Sequence, residues 1–231
     1  MLLHSSCLEG GAYIRVAAII PVKRLKDAKT RLSNLMSEEE RVNLTLIMLT
    51  DVLKSIKESS VDEIIVVSSN AEVCKVAERY SAKFLKETSL GLRNAVAQAS
   101  SWCTAQGIEC TLFIPADVPL ITREDINAII SLCKHERQVV ISPSKSGGTN
   151  ALLRRPIEVI PTFFGMGSFR KHLEYLIKRR VNYEVYISPR IILDVDSPED
   201  LYEVSRIVNS SATKRYLEEI RILDRIKGNR L

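Results

Sequence analysis

The chain has 231 residues, 45% hydrophobic and 26% charged, with 9 Gly and 8 Pro, which suits one α/β domain with a sizeable core and argues against disorder. Its formal charge of +5 is not a nucleic-acid signature, because residues 211–231 hold six basic against three acidic side chains and supply +3 of it. No apolar stretch approaches the roughly 20 residues of a bilayer span, and five scattered cysteines, without metal-binding spacing, read as reduced thiols of a cytoplasmic protein.

Residues 1–13 lack a basic start followed by an apolar segment and read as an unstructured leader, not a secretory signal. A single domain is expected over 14–209 and an amphipathic helical tail over 210–231. Val16–Val22 (Val-Ala-Ala-Ile-Ile-Pro-Val) is a buried first strand, followed by a basic loop carrying Lys23, Arg24, Lys26, Lys29 and Arg31. Ser37-x-x-Glu40 is a capping box, and Val42, Leu46, Leu49, Leu53 and Ile56 mark one face of a long helix. Glu63–Ser68 is a second strand, Asn70 caps a helix over Ala71–Tyr80, and Ala82–Leu85 is a short third strand. This alternation predicts a parallel sheet with helices on both faces.

Gly91-Leu92-Arg93-Asn94 opens a helix running to about Gln106. The apolar run Leu112-Phe113-Ile114 then stops at Pro115-Ala116-Asp117-Val118-Pro119, so Asp117 is expected as the last residue of a buried strand, although Asp between prolines also suits a plain turn. Thr122-x-x-Asp125 caps the next helix. Gln138–Pro143 is a strand, and Ser144–Gly148 turns into Thr149-Asn150-Ala151-Leu152-Leu153. Phe163–Ser168 precedes a helix with Ser168 at its N-cap, an anion-binding terminus or an ordinary cap. A strand near Tyr183–Ile187 and a second over Ile191–Asp196 follow, then a helix started by Ser197-Pro198-Glu199-Asp200. In the tail, Tyr216, Ile220, Leu223 and Ile226 form a helical stripe that would pack on this subunit or on a second copy.

The chemistry lies at the strand ends. Period-two alternation puts Asp194 and Asp196 on one face, and with Asp117 they make hard oxygen donors for a divalent cation. Together with the basic loop and the Gly/Ser helix terminus they would converge at one sheet edge, where open α/β sheets bind ligands. That combination suits a nucleoside triphosphate with Mg2+. Lys23, Lys29 and Arg31 would offset the triphosphate's charge, while Asp117, Asp194 and Asp196 would hold the metal. In-line attack at the α-phosphorus releases pyrophosphate without a protein nucleophile. A phosphate acceptor is already an anion and needs no general base, and none stands out among His4, His135 and His172. Lys23 and Asp117 are the catalytic candidates, whereas Arg24 and Lys26 read as solvated charges. No Gly-x-Gly-x-x-Gly follows any strand, which disfavours a dehydrogenase.

The motifs Pro21-Val22-Lys23 with Ala28-Lys29-Thr30-Arg31-Leu32, Gly91-Leu92, Pro115–Pro119, Gly148–Leu153, Phe164-Gly165-Met166-Gly167-Ser168-Phe169 and Leu193–Leu201 span Val16–Val208, in an order that resembles the CofC family of 2-phospho-L-lactate guanylyltransferases and their phosphoenolpyruvate-using relatives. The resemblance implies a three-layer nucleotidyltransferase fold of the glycosyltransferase-A, Rossmann-like type. It implies a reaction of GTP with 2-phospho-L-lactate, a small phosphorylated acid, in coenzyme F(420) biosynthesis. Residue by residue, Lys23, Lys29, Arg31, Gly91 and Asn94 would bind GTP, Thr149, Gly165 and Ser168 the phosphorylated acid, and Asp117, Asp194 and Asp196 the metal, Mg2+. This chain departs in having no glycine over Val22–Leu35, and in carrying Arg93 before Asn94 where Asn is expected directly after Gly-Leu. The tail after Val208 lies outside the resemblance. A homodimer is expected, as is contact with the enzyme that consumes the labile product; neither nucleic acid nor membrane is expected as a partner. Phosphoenolpyruvate or 3-phosphoglycerate is the alternative acceptor, and a metal-dependent glycosyltransferase of the same fold, for which Asp194-Val195-Asp196 also serves, is the alternative reaction.

Overall fold

The computed structural model describes residues 14–207 and 210–228, so the expected leader lies outside the described residues. Strand β1 (Val16–Pro21) pairs in parallel with β2 (Glu63–Ser68) and, on its other side, with β4 (Cys110–Phe113). Both its faces are covered, which is why its sequence is an unbroken apolar run rather than an alternation. Val16, Ala18 and Ile20 share one core with Leu49, Val52 and Leu53 of α1 (Glu38–Lys57), Val73 and Ala77 of α2 (Ala71–Arg79), and Ile126 and Ile129 of the later helix over Arg123–Ser131. Ala17 and Ile19 turn to the opposite core, with Ala95, Val96 and Ala99 of α3 (Leu92–Ala105) and Leu176 of the helix over Ser168–Arg179. These two helices are α4 and α5.

With β3 (Lys83–Lys86), β5 (Gln138–Pro143), β6 (Thr149–Arg155) and β7 (Asn182–Val185), the sheet has seven strands in the order β3-β2-β1-β4-β6-β5-β7. Every neighbouring pair is parallel except those involving β6, which runs antiparallel to β4 and β5. The start of β6, Thr149 and Asn150, therefore lies at the sheet edge where β1 and β4 end. This is the three-layer, mostly parallel architecture that the sequence predicts. No described helix is long and apolar enough to cross a membrane.

The segment Ile191–Asp196 is not a strand. Ser188 caps the short helix α6 (Pro189–Ile192), accepting from the Arg190 amide, with Pro189 at the first helical position. That Ser-Pro start is a helix signal which the apolar run Ile-Ile-Leu obscured. Beyond α6 the chain is extended but joins no sheet; the Val195 amide donates to the Asp117 carbonyl at 2.9 Å. Leu193 and Val195 are buried while Asp194 and Asp196 alternate away from them, so the same-face expectation survives the loss of the strand. Asp117 likewise lies beyond its strand, since β4 ends at Phe113.

A third core joins Leu32, Leu44 and Met48 to Leu193 and Val195, to Leu201 and Val204 of α7 (Pro198–Arg206), and to the tail. The tail is two helices, α8 (Ala212–Glu219) and α9 (Ile222–Gly228), separated by Arg221 at φ 52°. The break changes the register: of the expected stripe Ile226 is buried and Tyr216 and Ile220 pack partly buried on this core, while Leu217 and Ile222 join it in place of Leu223. All three buried side chains join this chain's own core. Asp51 of α1 caps α8, accepting from the Ala212 and Thr213 amides at 2.9 and 2.8 Å, and Arg225 bonds both oxygens of Glu40 at 2.9 and 2.8 Å.

Candidate active site

The loop after β1 has no glycine, so side chains shape it. Leu25, Ala28 and Leu32 are buried beneath it. The Asn70 side chain, at the N-cap position of α2 but making no cap there, instead donates to the Lys23 carbonyl at 3.4 Å and accepts from the Leu25 amide at 3.5 Å. Arg41 holds the Ala28 carbonyl at 3.3 Å. Between two short helical turns Lys29 takes a left-handed backbone, φ 50°, a conformation that costs a residue with a Cβ about 1–2 kcal/mol. The surrounding anchors offset that strain, and it sends the Lys29 side chain inward.

There Lys29 Nζ bonds Asp117 Oδ2 at 2.7 Å and Asp196 Oδ1 at 2.8 Å, with only 7% of its side chain exposed. Burial alone would lower the Lys29 pKa, but the two carboxylates outweigh it and hold the ammonium above its ordinary value. Burial pushes Asp196 up; Lys29, then Lys23 and Arg31, overcome this and keep it below the usual range. Asp194 shifts the other way. Burial first, then the charges of Asp117 and Asp196, raise it against the bond it accepts from Asn150 Nδ2 at 3.2 Å.

Two carboxylates thus share one lysine, and the third, Asp194, feels the charge of both and is the least comfortable ionised. Among the described residues no group of three or more His, Cys, Asp or Glu side chains is placed to hold a metal ion by itself. Mg2+ takes few carboxylates and completes its shell with water and substrate phosphate, so a bound triphosphate would have to complete the set that Asp117, Asp194 and Asp196 begin. The carboxylate oxygens are hard donors of the kind that ion takes.

At the far side of the same cavity, β6 begins against the N-terminus of α5. Thr149 Oγ1 lies 3.0 Å from Ser168 Oγ and 3.2 Å from His172 Nδ1. Gly167 occupies the N-cap position of α5 and Ser168 is its first helical residue, one place later than expected. Gly165 and Gly167 have φ 121° and 65°, which only glycine adopts freely. Arg93 Nε donates to the Phe164 carbonyl at 3.1 Å, tying this loop to α3, and the Phe164 ring packs 4.3 Å from that of Phe113.

The cavity between these groups encloses about 650 Å³ and is lined by Lys23, Lys29, Arg31, Gly91, Asp117, Thr149, Gly165, Ser168, Asp194 and Asp196 among others, room for a nucleotide and a small acid. Asn94 is the expected site residue that does not line it. Its amide donates back to the Leu90 carbonyl at 2.8 Å, because two positions past Leu92 the helix has turned its side chain outward. Asn150 and His172 belong to the site and were not expected there. Asn150 sits within a motif already singled out, and His172 lies one helical turn after Ser168, a spacing that could have revealed it.

A family model described as "Guanylyl transferase CofC like" matches residues 16–229, so the match runs through the tail that the sequence reading left outside. A 2-phospho-L-lactate guanylyltransferase of Methanobrevibacter smithii is 35% identical over 208 residues, covering 90% of this chain and 91% of that one. Its counterpart from Methanocaldococcus jannaschii is 38% identical over 210 residues with the same coverage. A phosphoenolpyruvate guanylyltransferase of Rubrobacter xylanophilus is 36% identical over 187 residues, 80% of this chain and 91% of the relative. In fold, the chain is similar to a crystal structure from Desulfovibrio desulfuricans described as a nucleotide-diphospho-sugar transferase (TM-score 0.76, 18% identity, 94% and 98% covered). It is also similar to a nucleotidyl transferase from Methanothermobacter (TM-score 0.62, 15% identity, 89% and 99% covered).

Proposed function

The chain belongs to the guanylyl transferase CofC-like family, and from that membership we propose that it transfers GMP from GTP to 2-phospho-L-lactate, giving lactyl-2-diphospho-5'-guanosine and pyrophosphate in coenzyme F(420) biosynthesis. The observation that carries this reading is one cavity lined by Asp117 and Asp196, both bonded to Lys29, by Asp194, and by the Thr149–Ser168 hydroxyls. Lys23, Lys29 and Arg31 offset the charge of the triphosphate, and Gly91 receives the nucleoside end. Thr149, Gly165 and Ser168 bind the phosphorylated acid. Mg2+, held by Asp117, Asp194 and Asp196, supplies neutralisation of phosphate-oxygen charge when bound.

A phosphate oxygen of the acid attacks the α-phosphorus of GTP in line. The new P–O bond forms as the bond to the bridging oxygen breaks, and the departing pyrophosphate takes the electron pair. The nucleophile is ionised near neutral pH, so no residue need take a proton from it. Lys23 acts by its charge on the polyphosphate and Asp117 by its carboxylate. This arrangement works by positioning and electrostatics, which dominate phosphoryl transfer. We place the protein in the cytoplasm as a homodimer that passes its product to the next enzyme. Because the tail's apolar side chains are used within this chain, the second copy must meet a different face.

The test is to incubate the protein with GTP, Mg2+ and 2-phospho-L-lactate, phosphoenolpyruvate or 3-phosphoglycerate in parallel, with ATP as the competing nucleotide. Pyrophosphate release highest with GTP and phospholactate is the expected outcome. Preference for phosphoenolpyruvate would reassign the acceptor, and hydrolysis of a sugar nucleotide in place of pyrophosphate release would overturn the reaction class.

A further inference from the structure

His172 is fully buried, and the reaction outlined above gives it no task. Its surroundings define which ring nitrogen carries the proton. The Phe163 amide points at Nε2 from 2.9 Å. A backbone amide only donates, so Nε2 presents its lone pair, and the proton of the neutral ring sits on Nδ1. Burial, then the positive charge of Arg154, push the ring's pKa down to about 4, which keeps it neutral near pH 7. Nδ1 faces Thr149 Oγ1 at 3.2 Å, while the Ser168 backbone also favours the proton on the ring; toward an Nδ1–H the Thr149 oxygen can only accept.

The consequence reaches the cavity by counting protons. The hydroxyls of Thr149 and Ser168 are 3.0 Å apart and neither has another side-chain or backbone partner among the described residues. They own two protons; the ring takes neither, and their mutual contact uses one. One O–H is left, and both residues line the cavity. With the ring proton on Nε2, Thr149 would donate to Nδ1 and Ser168 to Thr149. The pair would then turn only lone pairs outward, which repel an anion.

We propose that His172 is a positioning residue whose Nδ1–H tautomer makes the Thr149–Ser168 pair a hydrogen-bond donor toward an anionic oxygen of the phosphorylated acid. This rests on the reading that the pair binds that acid.

Two measurements test it on the full chain. The ring-nitrogen NMR shifts of His172 in the free protein are expected to report Nδ1 protonated and Nε2 bare; the opposite tautomer overturns the proposal whatever the variants do. In kinetics, H172Q, whose amide reaches toward the Nε2 position, leaves no Nδ1–H to hold Thr149 Oγ1 as an acceptor, so the pair's remaining O–H is free to turn from the cavity; it is expected to raise KM for the acid about tenfold with KM for GTP and kcat changed less than about twofold. H172N, which sets an amide N–H near the Nδ1 position, is expected to bring KM for the acid back to within about threefold of wild type. An unchanged acid KM in H172Q, or equal impairment in both variants, overturns the role of His172 while S168A still raises the acid KM. Should S168A also leave that KM unchanged, the reading of the hydroxyl pair falls, and this proposal with it.

Discussion

Lys29 is the residue on which the charge balance of the cavity turns. It is bound to Asp117 and Asp196 and buried, so replacing it removes the cation bonded to both carboxylates. Breaking such a pair costs several kcal/mol when fully buried, and about 1–3 kcal/mol is expected here because Asp196 is half exposed. K29M is therefore expected to lose turnover and to melt below wild type. Added Mg2+ is expected to raise its Tm more than that of wild type, as read by thermal unfolding with and without the ion; equal shifts would remove the acids from the metal site. The residue types at this site were legible in sequence, since acids at strand ends and a basic loop are chemical signals. That Lys29 pairs with Asp117, 88 positions away, was not, because it depends on one left-handed residue in a loop without glycine. Asn94 lies outside the cavity lining for the opposite reason, as a motif residue whose side chain bonds back to Leu90.

Among the elements, α4 and α6 are locked to each other through Asp125. This fully buried carboxylate completes the capping box with Thr122 and also accepts from Ser188, Tyr186 and both Arg190 nitrogens, at 2.8, 2.9, 2.6 and 2.7 Å. It thereby fixes the entry to the extended segment that carries Asp194 and Asp196. Burial works against its ionised form, yet these donors prevail and bring its pKa from 3.8 down to about 2. A lowered pKa means stabilisation that is complete above the unfolded-state value and fades as pH falls through the folded one. D125N is expected to cost about 2 kcal/mol near neutral pH, with the gap to wild type closing between 3.8 and about 2 in urea titrations. A gap constant with pH would show that Asp125 contributes by shape alone. The Thr122-x-x-Asp125 box was readable because it is local; the bonds to Arg190 come from 65 positions downstream and have no local signature. The same limit explains α6, where Ile191 entering the first core and Leu193 just beyond it entering the third imitated a strand.

On the scale of the whole molecule, the tail is part of the fold. Leu217, Ile222 and Ile226 are buried with Leu44 and Met48 of α1 and with Leu193 and Val195 beside the carboxylates, and each such side chain contributes about 1.5–3 kcal/mol of burial. Deleting residues 210–231 is expected to lower Tm sharply and to expose apolar surface, read by dye binding and by solution mass. A truncated chain of unchanged Tm that merely dissociates would instead make the tail a subunit contact. The layer order was legible because strands buried on two faces write continuous apolar runs. The two-helix tail was not, since Arg221 ends α8 without the glycine or proline that would announce a stop.

The reversal of β6 has a further effect on how this protein tolerates change. Strands β1, β3, β4 and β5 deliver residues to the cavity at or after their ends, so lengthening their opposite ends leaves the cavity's rim alone. Strand β6 delivers Thr149 and Asn150 as it starts, directly from the Ser144–Gly148 hairpin, where Gly148 donates to Ser144 Oγ at 2.8 Å and an added Cβ would sit equally close to that oxygen. A hairpin tip that elsewhere would be the obvious place for an inserted tag is here a spacer of fixed length, and a single extra amino acid would move the Thr149 hydroxyl out of step with the carboxylates.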